Sequence, residues 1–282
     1  MPTVSVVTPS YNQAEFIEDT LQSVARQSHD DVEHVVVDGN SDDGTQAILK
    51  EYDVDWLSEP DEGHADAVNK GFDRVSGDIV GWLNSDDVYF DVDVLARVVE
   101  YFERSDADII YGDIALLAPN SDVLKLWVVP EFDYDMLGRY CFLEQPAVFF
   151  RRQVVEEQRL ETDVEIALDY DYWLRLGTGY RFRHVNDVLA GDRNHAGRKS
   201  VAMREELVAD AERVRARHGY PRTQSRSART RDILSSGIPR GFASLVRTVQ
   251  HHRAPVDLAF DGQLRPLPEM LLNTVRPNRR LV

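Results

Sequence analysis

The chain has 282 residues, of which 43% are hydrophobic and 29% charged, enough apolar material for a sizeable core and too much for a disordered chain. Its net charge is −17, and only four of its 32 basic residues are Lys: Lys50, Lys70, Lys125 and Lys199. A surface so rich in carboxylates argues against nucleic acid as a partner and suits a salt-loving setting, where charges are screened within about 3 Å at 1 M salt.

One cysteine, Cys141, excludes an intramolecular disulfide and a thiolate zinc cluster. No N-terminal stretch resembles a signal peptide, and no run approaches the roughly 20 apolar residues needed to span a bilayer. A cytoplasmic protein is expected, attached at most to the inner face of the cell membrane.

In chain order, Val4 to Thr8 reads as a buried strand, and Ala14 to Arg26 as a helix with Phe16, Ile17, Leu21 and Val24 at helical spacing. The unit repeats: Val35 to Val37 before a helix from Thr45 to Tyr52, then Trp56-Leu57 before a helix from Ala65 to Val75. A strand from Asp78 to Leu83 and a helix from Val92 to Arg104 follow. Such alternation predicts an α/β fold with a mostly parallel central sheet, helices on both faces, and ligands at the carboxyl ends of the strands. Further strands are predicted at Asp108 to Tyr111 and Ala147 to Phe150, with helices at Asp169 to Leu176 and Ser200 to Arg217.

Composition changes near Tyr220. Residues 221–282 carry eleven Arg against four acidic residues, and Ile233, Leu234, Ile238, Phe242, Leu245, Val246 and Val249 fall near helical spacing. Two regions are expected: a catalytic domain over 1–220, and a basic extension over 221–282. An amphipathic helix in that extension would either contact an anionic membrane surface or pack on the acidic domain.

Polar clusters sit at the strand ends: Thr8 to Asn12, Val37 to Thr45, and Trp82 to Asp87. Asp38 can accept the ring N–H of a uracil, and Asp43-Gly44-Thr45 can cap the following helix. Each of the first two clusters is also ordinary turn chemistry. Adjacent Asp86 and Asp87 after a buried strand would repel unless a cation or donors lay between them, and Mg²⁺ or Mn²⁺ is the natural partner.

Taken in order, these segments resemble the inverting glycosyltransferases of family 2, which have the GT-A fold. The resemblance rests on Pro9 to Asn12, Asp38 to Thr45, Glu59 to Gly71, Gly77-Asp78 and the acidic motif ending at Asp87, all within the first 90 residues. It continues more thinly through Gln145 to Arg152, Leu168 to Leu176 and Arg193 to Ser200.

The resemblance implies a sugar passing from a nucleotide diphosphate sugar to a glycan, protein-borne or polyprenyl-linked acceptor, as in a metal-dependent hexosyltransferase. It places Pro9, Tyr11, Asp38 and Asp66 at the nucleoside, with Asn69 and Lys70 nearby. The family's Asp-x-Asp frame reads Ser85-Asp86-Asp87 here, which leaves Asp86 to take the ribose contact and Asp87 to bind metal. His195 is expected on the metal or a phosphate, and Arg198 and Lys199 on the diphosphate. Asp169 is the expected catalytic base, with Asp171 as the alternative. On a helix the two point about 200° apart, Trp173 would share the face of Asp169 as a wall for sugar, and Arg175 would pair with Asp171.

A nucleotidyltransferase would need a Gly-rich basic loop, and a dehydrogenase GxGxxG, after the first strand. Pro9 to Glu15 contains neither. A non-catalytic nucleotide- or glycan-binding protein on the same fold is the rival from another class.

Overall fold

The computed structural model describes residues 1–220. Strands β1 (Val4–Ser10), β2 (Val32–Asp38), β3 (Asp55–Ser58) and β4 (Ile79–Trp82) pair in parallel in the order β3-β2-β1-β4. Helices α1 (Ile17–Ala25), α2 (Thr45–Leu49) and α3 (His64–Phe72) make the crossovers. Every residue of β1 is buried because both faces are covered: Val4 and Val6 pack with Val24 of α1 on one side, and Val7 packs with Val68 and Phe72 of α3 on the other.

Beyond β4 the sheet becomes mixed. Its further strands are β5 (Val88–Tyr89), β6 (Ile109–Leu117), β7 (Val123–Trp127), β8 (Val148–Arg151) and β9 (Phe182–Arg193). β8 runs antiparallel to both β4 and β6, β9 runs parallel to β6, and β5 is antiparallel to β9. The mostly parallel sheet expected from the sequence therefore holds for the first half and not for the second. The helices of that half are α4 (Val94–Glu103), α5 (Tyr134–Arg139), α6 (Arg152–Glu157), α7 (Leu168–Leu176), α8 (Lys199–Ala202) and α9 (Arg204–Arg217).

Twelve-residue β9 was not anticipated. Its polar residues fall between apolar ones, and its ladder with β6 shifts register on both sides of Asp113. The predicted helix from Ser200 to Arg217 is broken at Met203 into α8 and α9.

No helix of the described residues is long and apolar enough to cross a membrane. The basic extension, with its expected amphipathic helix and membrane contact, lies outside the described residues.

Candidate functional site

Parallel pairing aligns Pro9-Ser10 of β1 with Val37-Asp38 of β2, and Val7 with Trp82 of β4. The three polar loops consequently leave the sheet at one edge. The first two are stitched together: Asn12 and Ala14 N–H donate to Ser41 Oγ and Asp43 Oδ2, at 2.8 and 2.9 Å, and Asp42 N–H donates back to Asn12 Oδ1. Asn12 and Asn40 take left-handed conformations, φ 53° and 64°, which Asn tolerates. Asp43 also accepts from Thr45 N–H at the start of α2, whose N-cap, Gly44, carries no side-chain bond.

These loops form one wall of a cleft of about 1060 Å³. Pro9 and Tyr11 line it, and Tyr11 is 62% exposed. Asp86, Asp87, Asp169, His195, Arg198 and Lys199 line it too.

The acidic motif is held from both flanks. Thr20 Oγ1 of α1 donates to the Asp87 carbonyl, at 2.7 Å. Val88 pairs with Gly191, which brings the end of β9 alongside, so that Arg193 N–H donates to Asp87 Oδ1 at 2.9 Å. The Arg193 guanidinium, fully buried, donates to the Asp86 and Pro119 carbonyls, Ser121 and Asp19. It is an anchor beneath the motif rather than a group facing the cleft. Next to it, His195 Nε2 lies 2.9 Å from Asp86 Oδ2, its ring tilted on Phe16 at 4.5 Å. Arg198 pairs with Asp192, at 2.5 Å.

Burial, then the charges of Asp86 and Asp192, pushes the Asp87 carboxyl well above the usual carboxylate range. The carboxylates of Asp86, Asp87 and Asp192 are hard oxygen donors of the type Mg²⁺ and Mn²⁺ use. Among the described residues no three such side chains close into a cage of their own. An ion held chiefly by one or two carboxylates and a substrate's phosphates needs none. Asp86 and Asp87 are oxygen donors that could supply those one or two ligands.

Asp169, another lining residue, occupies the first turn of α7 and accepts from Tyr170 N–H at 2.7 Å. It is not the N-cap, a position filled by Ala167 without a side-chain bond. Burial pushes its pKa up to about 6. Asp171 is 1% exposed and pairs with Arg175 at 2.9 Å and His218 at 3.0 Å, so it belongs to the core ion network and does not line the cleft. Trp173 is fully buried and stacked on Phe150, 5.8 Å between centroids, which overturns its expected role as a wall for sugar.

Four residues expected at the donor sit elsewhere. Asp38 is 0% exposed, and its carboxylate accepts from Ser41 N–H, Ser41 Oγ and Ser58 Oγ at 3.0, 2.5 and 2.5 Å. With its lone pairs so engaged, it holds the β2 turn instead of presenting itself to a ligand. Asp66 and Lys70 pair with each other at 3.1 Å and grip the loop before α3: Asp66 accepts from Glu62 N–H, and Lys70 reaches Glu59 and the Pro60 carbonyl. Asn69 uses both ends of its amide on the backbone of Leu160. None of the four lines the cleft.

The cleft also holds residues that sequence reasoning passed over. Asp192 arrives on β9, and Glu144 precedes the 3₁₀ turn Gln145–Ala147. Burial, then the Asp192 charge, raises the Glu144 carboxyl to about 8. Gln145 donates to the Trp82 carbonyl and accepts from Asn84, tying the far wall to β4. His64, set edge-on to Trp82 at 5.6 Å, is pushed down to about 4 by burial and is neutral. No local pattern marks Asp192 or Glu144; Gln145 and His64 lie in segments that resemble the family.

Comparisons with known proteins agree with this architecture. The family model "Glycosyl transferase family 2" matches residues 5–129. The putative teichuronic acid biosynthesis glycosyltransferase TuaG of Bacillus subtilis is 32% identical over 199 residues, 67% of this chain and 78% of that protein. A PGL/p-HBAD biosynthesis glycosyltransferase of Mycobacterium bovis is 33% identical over 158 residues, 54% of this chain and 60% of that one.

Among solved structures, the mannosyltransferase PcManGT of Pyrobaculum calidifontis, in complex with GDP-Man and Mn²⁺, superposes with a TM-score of 0.58 at 21% identity, covering 98% of this chain and 73% of its own. TarS 1-349 of S. aureus, in complex with UDP-GlcNAc, gives a TM-score of 0.56 at 17% identity over 89% and 72% of the two chains. At such identities these two show the fold, which is GT-A. With that fold and those relatives, the chain belongs to glycosyltransferase family 2, enzymes that transfer a sugar from a nucleotide diphosphate sugar.

Proposed function

We propose that the transfer is metal-dependent and inverting, with Asp169 as the base and Asp87 as the principal metal ligand. The observation that carries this reading is that an acidic motif and a half-buried carboxylate of pKa about 6 line one cleft. Inversion requires the acceptor hydroxyl to attack from the face opposite the departing diphosphate, which calls for a proton acceptor on one side and positive charge on the other.

At pH 7 most Asp169 is ionised, and it takes the proton from the acceptor hydroxyl as the new glycosidic bond forms. Tyr11 packs on the nucleoside, with Pro9 beneath. Arg198 and Lys199 orient and neutralise the diphosphate. Asp87 would hold Mg²⁺ or Mn²⁺ with His195 and Asp86 beside it, and an ion there would supply positive charge for the leaving diphosphate. PcManGT, which was solved with Mn²⁺ and a nucleotide sugar, supports a divalent cation.

The acceptor in this reading is a glycan, free or polyprenyl-linked, and the name of the Bacillus relative supports a polysaccharide. Residues 1–220 form the catalytic domain, with the basic extension as a peripheral membrane contact. The test is sugar transfer from a panel of nucleotide sugars with and without Mn²⁺ or Mg²⁺. Undiminished turnover in excess EDTA would refute metal dependence, and retention of anomeric configuration in the product would refute inversion.

A further inference from the structure

With Asp38 sealed beneath Ser41 and Ser58, the nucleoside end of the cleft lacks the carboxylate that the second strand was expected to provide. Another carboxylate occupies that place. A β-carbon built on Gly39, the residue after Asp38, would collide with Asp61 Oδ2 and lie 3.3 Å from the Tyr11 ring. Asp61 thus fills the space that a side chain at 39 would take, beside the exposed ring of Tyr11, and all three residues line the cleft.

The orientation of Asp61 is built in. Its Oδ1 accepts from Gly63 N–H at 2.9 Å, which leaves Oδ2 toward Gly39. Gly63, at φ 115°, provides a backbone turn that a side chain would strain. The loop is gripped from behind by Lys70 on the Pro60 carbonyl and Asp66 on Glu62 N–H, and it joins the sheet through Glu59 N–H to the Asp38 carbonyl at 3.0 Å. Asp38 and Asp66, expected to touch the nucleoside, and Lys70, expected near it, instead brace the loop that carries Asp61.

We propose that Asp61 is the base-reading residue: its Oδ2 accepts the ring N–H of a nucleobase stacked on Tyr11. The inference rests on the donor site being a nucleotide diphosphate sugar site. A carboxylate can only accept, so it selects bases that carry a ring N–H, namely uracil, thymine and guanine. Cytosine and adenine present a lone pair at the corresponding ring nitrogen and are repelled. A site built around one such hydrogen bond rejects an analogue that lacks the donor far more strongly than shape alone would. Gly39 is required because anything larger displaces the carboxylate.

The test is titration of the full-length protein, in Mn²⁺, with UDP, dTDP, GDP, CDP and ADP. The native protein is expected to bind at least one of UDP, dTDP and GDP tenfold or more tighter than CDP and ADP. Asp61→Asn, whose amide both accepts and donates, should weaken that ligand at least tenfold and narrow or reverse its advantage over CDP. Gly39→Ala moves the carboxylate without touching it chemically and should weaken the same ligand with an unchanged melting temperature, since Gly39 does not adopt a left-handed backbone. Preference of the native protein for CDP or ADP, or native affinities in both variants, overturns the assignment of Asp61. Failure of the native protein to bind any nucleoside diphosphate overturns the donor reading itself, and this assignment with it.

Discussion

Replacing Asp169 by Asn removes a proton acceptor while keeping nearly the same shape. Tyr170 N–H donates to that side chain at 2.7 Å, and the Asn carbonyl oxygen can accept the same bond. Loss of a general base costs roughly 10²–10⁴ in turnover. Stability should move the other way. Burial raises the Asp169 pKa from 3.8 to about 6, so the native state resists ionising a group that the unfolded chain ionises freely. That penalty is absent below the unfolded value, grows as pH rises, and is complete above about 6, where it reaches on the order of 2–3 kcal/mol.

Asn carries no such penalty, so Asp169→Asn should melt at or above the native temperature at pH 7, with the gain gone by about pH 4. Native turnover should climb with pH through about 6, the base being about nine-tenths ionised at pH 7 and one-tenth at pH 5. The assays are sugar transfer under saturating donor and calorimetry at both pH values. Native turnover in Asp169→Asn, with the fold intact, would refute the assignment of the base.

Asp171→Asn should behave oppositely, losing about 3–5 kcal/mol by stranding Arg175 and His218 around a neutral side chain, and denaturant titration reads it. A variant that is dead yet as stable as native would return the base to Asp171. Asp87→Asn should abolish Mn²⁺-stimulated transfer without lowering stability, since it relieves a carboxyl held high by burial and by Asp86 and Asp192; activity at the native level would count against it as the metal ligand. Glu144→Gln should stabilise the protein increasingly from about pH 4.5 to 8, by up to roughly 5 kcal/mol, because the native carboxyl is raised to about 8 by burial; equal melting temperatures at pH 9 would refute this. A chain ending at Tyr220 should keep its fold and sugar transfer to a soluble acceptor while losing co-sedimentation with anionic vesicles, and equal partitioning of both chains would remove the membrane contact.

Much of the first half was legible because its determinants are local. Period-3.6 apolar spacing in α1 and α3, short apolar runs for β1, β2 and β4, and turn-forming clusters at their ends define parallel units whose ligand edge follows from chirality and strand direction. The Asp171–Arg175 pair was legible too, since residues four apart on a helix must meet. Where two chain segments decide a matter together, sequence reading failed. β9 is recognisable only by its pairing with β6 and β5, and it carries Asp192 and Arg193 to the acidic motif.

The sequence by itself determined that a GT-A sheet would carry the Pro9 and Asp86-Asp87 segments at one edge, because motif order and strand ends are properties of the chain. Which carboxylates face the cleft only the tertiary structure decided. Asp38 is withdrawn because Ser58, twenty residues on, donates to it, whereas Asp61 comes forward because Gly39 leaves it room. Asp169, Asp192 and Glu144 have pKa values above those of ordinary carboxylates because distant segments take them out of water. Burial and hydrogen-bond saturation are sums over the neighbours that folding assembles, and no stretch of sequence contains them.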